Sequence, residues 1–202
     1  DPSLGRYVTQ DPIGLAGGVN TYGYVEGSPS MYIDPSGQDV HVTQSGNTVV
    51  ISAAVTTYGK HGSGRLARHW ENAINNIWNN YGSNFNYGSC KVLFNISVSY
   101  DANANYWFTA KSADNYVYVT DPNIRSNVVM DRFGTFRNNA PGRTAAHEFG
   151  HMAGLDDHYI EKTGLPKKGW EGNLMASSRH GLPDQRNIND ILKGRSTICG
   201  CK

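Results

Sequence analysis

Thr144-Ala145-Ala146-His147-Glu148-Phe149-Gly150-His151-Met152-Ala153-Gly154, continuing through Leu155-Asp156-Asp157-His158, is the stretch that decides the fold of this chain. It reads as helical as far as Gly154. His147 and His151 stand four residues apart, so on a helix both imidazoles leave one face and can meet one metal ion. Glu148 is rotated from His147 by about a quarter turn, where it can address a water on the metal without being a ligand. A zinc hydrolase needs that division of labour: the metal acidifies the water and the carboxylate takes the proton. Zinc in such a site wants three protein ligands, and a straight helix offers two on one face. Gly154 is placed to end the helix and turn the chain back, which carries Leu155 to His158 past the metal. Asp157 and His158 are both candidates for the third ligand, and register favours Asp157.

The order His151, two residues, Gly154, two residues, Asp157 resembles the extended motif of the metzincin zinc peptidases, with Asp where most of them have His. Gly172-Asn173-Leu174-Met175-Ala176 resembles the methionine turn of the same family, which implies that Met175 packs beneath the zinc ligands as support. Asn187 to Leu192, closed by Gly194, reads as the final helix common in that family. The resemblance implies an α+β, metzincin-like zincin domain with a twisted mixed sheet, a long backing helix, an active-site helix and a C-terminal helix. It also implies a zinc metalloendopeptidase with Glu148 as the catalytic base. Some members place a Tyr two residues after the turn methionine, and here that position is Ser177. His180, Arg179 and Tyr159 are therefore the candidates for a transition-state helper.

The flanking sequence supplies a scaffold in the same order. Val40 and Val42 open a strand, Ser45-Gly46-Asn47 is a turn, and Val49 to Val55 is a second strand, together a hairpin. Leu66, Trp70, Ile74, Ile77 and Trp78 recur at helical spacing, so an amphipathic helix is predicted over 64-80 with its apolar stripe on a sheet. Val92, Phe94, Ile96, Val98 and Tyr100 alternate with mostly polar residues as a half-buried strand does. Tyr116 to Val119 is a further short strand, expected to align a substrate by edge pairing. His41, His61 and His69 lack any partner pattern and are expected to face solvent.

Residues 1-38 differ in character. They are rich in Gly, Pro, Asp and Tyr and carry a self-similar pair of turns, Asp11-Pro12-Ile13-Gly14 and Asp34-Pro35-Ser36-Gly37, around the short alternating run Asn20 to Val25. The run from Leu4 to Asn20, continuing to Asp34-Pro35-Ser36-Gly37, resembles the C-terminal end of the Rhs-repeat core. In that family the core closes as a β-shell around a C-terminal toxin and cuts itself just beyond the second turn. The resemblance makes Asp11 and Asp34 the candidate autocleavage carboxylates and puts the cut near Gln38, where the family usually has Leu. Two domains follow: 1-38, the Rhs-core segment, and 39-202, the zinc metallopeptidase toxin domain.

Composition restricts the remaining choices. With Lys plus Arg 18 against Asp plus Glu 17, the near-neutral balance argues against affinity built on a strongly basic surface for nucleic acid or anionic lipid, and no apolar run is long enough to span a membrane. Three cysteines, Cys90, Cys199 and Cys201, allow at most one internal disulfide. The chain opens on Asp1 rather than Met and reads as a piece of a longer product. The combined expectation is a bacterial toxin, exported inside its Rhs shell and delivered into a target cell, where it cuts proteins unless a cognate immunity protein blocks it. The alternatives are a zinc amidase acting on peptidoglycan and a non-catalytic, zinc-stabilised binding module. Glu148 discriminates against the latter, since a purely structural site has no use for a base beside its first ligand.

Overall fold

The computed structural model describes residues 40–82, 85–104, 115–129, 133–193 and 198. The expected division at 38/39, the paired Asp-Pro turns, Asp11, Asp34 and Gln38 lie outside the described residues, as do Gly194, Cys199 and Cys201. Within the described residues the chain is α+β.

Strands β1 (His41–Ser45) and β2 (Thr48–Tyr58) form the expected antiparallel hairpin, with Ser45 opposite Thr48. Gly46 makes the tight turn possible by adopting φ of 55°, a left-handed conformation that costs glycine little. β2 outruns the expected end at Val55 because its second half finds further partners. Thr48 to Thr57 pair in parallel with β4 (Cys90–Tyr100), and Val55 to Tyr58 pair in parallel with β5 (Asn115–Thr120) on the other edge. The alternation in β2 and β4 buries Val49, Ile51, Val92, Phe94 and Ile96, as period-two burial requires.

The crossover from β2 to β4 is α1 (Gly64–Trp78), started by Ser63, whose hydroxyl accepts from the Leu66 amide at 3.2 Å. Its apolar stripe of Ala67, Trp70, Ile74, Ile77 and Trp78 is buried. The helix stops two residues short of 80, where Asn80 and Tyr81 turn to positive φ. The polar side of α1 is used as well. Asn75 accepts from the Ile96 amide at 2.9 Å and donates to the Ile96 carbonyl at 2.7 Å. Asn79 does the same at Phe94, at 2.9 Å both ways, and Glu71 accepts from the Val98 amide at 2.7 Å. Three side chains at four-residue spacing thus stand in for a neighbouring strand along this edge of β4.

The sheet runs β3 (Phe85–Tyr87), β4, β2, β5, then β7 (Phe133–Arg137) and β6 (Asn127–Val129), with β1 on the first half of β2. The central pairs are parallel, whereas β1/β2, β3/β4 and β6/β7 are antiparallel. β5 lies between β2 and β7, so the expected use of residues 116-119 as a substrate-aligning edge is corrected: both of its edges are occupied. The edge strand on that side is β6.

α2 (Gly142–Met152) packs on α1, and two indoles fix their relation. Trp70 Nε1 donates to the Ala140 carbonyl at 3.1 Å and Trp78 Nε1 to the Ala146 carbonyl at 2.9 Å. Trp78, Phe94 and Phe149 meet edge to face or tilted in the core between helices and sheet. α3 (Gln185–Ile191) begins two residues earlier than expected because Asp184 caps it, with Asn187 returning a bond to the Asp184 amide. Cys90, at the start of β4, is disulfide-bonded. His69 is exposed as expected, while His41 and His61 are half-buried.

Candidate metal centre

α2 ends at Ala153, and Gly154 then takes φ of 84°. The Leu155 amide bonds back to the Gly150 carbonyl and the Gly154 amide to that of His151, both at 2.9 Å, a left-handed C-terminal turn that reverses the chain. The reversal carries Asp157 back to the helix. Its Oδ1 lies 3.2 Å from His147 Nε2 and 3.4 Å from His151 Nε2. Ligand atoms on a tetrahedral ion with bonds of about 2.0–2.1 Å stand about 3.3 Å apart, so the spacing fits one such ion. Among the described residues these three are the cluster able to hold a metal.

Backbone carbonyls set the rings. His147 Nδ1 is 2.9 Å from the Leu174 carbonyl and His151 Nδ1 is 2.8 Å from the Leu155 carbonyl. A carbonyl only accepts, so each Nδ1 carries the hydrogen and each Nε2 lone pair is left for a metal. Asp157 Oδ1 is buried yet has no hydrogen-bond partner, which is the condition of an oxygen whose natural partner is a cation. Burial works against its charge, but His147, His151 and the Tyr159 hydroxyl beside it hold the carboxyl well below its ordinary pKa. At His151 burial pulls the pKa down, and Asp157 more than offsets it, leaving the ring above its ordinary value.

Glu148 is buried beside the triad without contributing to it, and it lines a cleft of about 500 Å³ together with His147 and Tyr159. Burial pushes its carboxyl pKa up, the two imidazoles opposing. Arg125 donates to the Tyr159 hydroxyl at 3.1 Å on the cleft wall, and Arg179 is on the wall too. His180 is exposed and not part of that wall. His158, the other sequence candidate for the third ligand, stacks on Trp170 with ring centroids 3.4 Å apart and lies outside the cluster. Arg186 covers the same indole at 4.0 Å.

Met175 is fully buried under α2. A Cβ at Gly150 would come within 2.4 Å of its Sδ, so the glycine between the two histidines is the space that the methionine fills. Asn173, bonded to Asp184 and Asn187, receives the Met175 amide at 2.8 Å and so fixes the turn to the cap of α3. Sequence reasoning missed Arg125 and Arg137, because only the fold gathers their two separate segments at the cleft beside Arg179.

No protein-family profile matches the chain. Short stretches toward the N-terminal end are similar to known proteins. The toxin protein Tse5 of Pseudomonas aeruginosa is 50% identical over 36 residues, 18% of this chain and 3% of that protein. A probable deoxyribonuclease, RhsA of Dickeya dadantii, is 54% identical over 37 residues, 18% of this chain and 2% of its own length. Double-stranded DNA deaminase toxin A of Burkholderia cenocepacia is 51% identical over 37 residues, again 18% and 2%. The chain therefore carries an Rhs-type segment of the kind found in toxins. Proteins named for different activities share this segment, so the likeness fixes no activity and leaves the chemistry of the triad to be argued from its residues. Among the described residues no helix is long and apolar enough to cross a membrane.

Proposed function

We propose that the chain is the toxin end of an Rhs polymorphic toxin and that its described domain is a zinc-dependent endopeptidase. Export within a parent shell, delivery into a neighbouring cell and a cognate immunity protein belong to the same proposal, supported by the toxins that share the Rhs-type segment. The observation that carries the enzymatic part is Glu148. A carboxylate buried at the cleft wall, one residue from His147 and outside the set of His147, His151 and Asp157, serves no structural ligand role.

Zinc held by His147, His151 and Asp157 would supply Lewis acidity and a nucleophilic water near neutral pH. Glu148 then accepts the proton of the attacking water and returns it to the leaving amine. Its raised pKa moves it toward the range in which both transfers are efficient. Tyr159, held by Arg125, faces the cleft where it can donate to the carbonyl oxygen of the substrate as charge develops. Met175 supports the floor of the site, and β6 offers the sheet edge along which an extended peptide can lie.

The test compares zinc-loaded wild type with Glu148→Gln on a lysate of susceptible bacteria, reading new protein termini. The variant should keep its zinc and lose about a hundred- to ten-thousandfold in rate. Undiminished cleavage by Glu148→Gln removes the carboxylate from the mechanism. Absence of new termini alongside release of peptide stems from purified cell wall transfers the case to the amidase reading, and absence of both leaves a zinc-stabilised binding module.

A further inference from the structure

We propose that the cleft beside the triad selects an acidic residue, an aspartate or glutamate side chain, in the polypeptide that occupies it. The inference rests on the peptidase reading of the same site. Arg125, Arg137 and Arg179 arrive from the segment before β6, the end of β7 and the stretch after Met175, and all three line this one cleft. Glu148 is the sole carboxylate on its wall among the described residues. A cleft lined by one sign of charge between low-dielectric walls focuses its field and concentrates the opposite charge.

The arginines are not consumed by the fold. Among the described residues none of the three forms an ion pair, and Arg125 bonds instead to the neutral Tyr159 hydroxyl. Arg137 Nε is buried with no hydrogen-bond partner. A buried guanidinium N–H without an acceptor is costly, and an incoming carboxylate supplies the missing acceptor in the paired geometry that guanidinium favours. The hydroxyls of Ser126, Thr144 and Ser177 line the same cleft and add neutral donors.

The charge distribution favours a carboxylate over a nucleic-acid backbone. The three arginines line a cleft of about 500 Å³, and the whole chain, with a formal net charge of +1, lacks the large excess of positive charge on which phosphate-backbone binding relies. A space of that size holds a few side chains of one extended segment.

Binding is read without turnover by using the zinc-loaded Glu148→Gln chain. The probes are two fluorescent peptide pools identical except that one carries Asp or Glu where the other carries Asn or Gln, and a labelled single-stranded DNA. The acidic pool should bind about ten- to a hundredfold more tightly than the amide pool, less so at high salt. That ratio should fall toward one in Arg137→Gln and, independently, in Arg179→Gln, whose exposed position makes misfolding no explanation. Equal binding of the two pools, a ratio indifferent to both substitutions, or tighter binding of the DNA overturns the proposal. Cleavage of the same pools by the zinc-loaded wild type keeps the two readings apart. An acidic preference without cleavage removes the peptidase and leaves carboxylate recognition standing, whereas cleavage without the preference removes carboxylate recognition alone.

Discussion

Replacing Asp157 by alanine should abolish most of the stabilisation that zinc confers. At free zinc a hundredfold above its dissociation constant, binding to the native state adds about 2.7 kcal/mol. In a chain of this size each kcal/mol moves the melting temperature by about 2–4 °C, so the wild type should gain about 5–11 °C when zinc is added. Asp157→Ala leaves two imidazoles on one helical turn and no third ligand atom at 3.2–3.4 Å from them. His158→Ala should keep the full gain, since its ring stacks on Trp170 rather than facing the triad. The quantity to compare is the zinc-induced shift within each variant, not the metal-free melting temperature. Even without metal, the carboxyl of Asp157 is held below its ordinary 3.8 by its neighbours and contributes stability at neutral pH that alanine would forfeit. Calorimetric scans with and without zinc, paired with zinc content per chain, supply the measurement. A preserved shift in Asp157→Ala together with a lost shift in His158→Ala would refute the assignment of the third ligand.

Gly150→Ala should destabilise the chain by about 1–3 kcal/mol in urea titration, because the new methyl meets Met175 Sδ at 2.4 Å. Asn75→Ala strips the Ile96 amide and carbonyl of their side-chain partners and should cost about 1–3 kcal/mol by the same titration. Asp184 has its pKa held below 3.8; burial opposes this, and Arg186 and Asn173 outweigh it. Its stabilising charge is fully present above 3.8 and is lost as the pH falls through the lower, folded value, so the advantage of wild type over Asp184→Asn should shrink from pH 6 to 3. In the longer parent protein, a cut near Gln38 should disappear in Asp34→Asn, read by intact mass.

The helix over 64–78 and the strand over 90–100 were legible because each carries a full stripe at its own period. The triad was legible because a helix, a glycine and a fixed count of residues are local facts. β7 was hidden for the opposite reason. Its buried positions are Gly134 and Phe136, and Gly134 is small because a Cβ there would press on Val117 at 3.1 Å and Met152 at 3.3 Å. A strand whose inward residue is chosen by distant neighbours shows no apolar alternation of its own. Once β7 goes unseen, β5 looks like an edge, and the error about substrate alignment follows. The arginine cleft was illegible for a related reason, since Arg125, Arg137 and Arg179 meet only after β6 and β7 have folded back on the sheet.

The Glu71, Asn75 and Asn79 ladder has a bearing on self-association. An unpaired strand edge is a template for another chain, and proteins that pass through partly folded states are most exposed to such pairing. Here the residues that mask β4 lie on the crossover helix that joins β2 to it, separated from β4 in sequence only by the short β3 and the turn before it, so the edge closes as soon as this one β-α-β unit forms and needs no distant segment to arrive first. Many copies refolding at once would then find no docking line along the middle of β4, and the residues responsible would be polar ones that contribute nothing to the apolar core.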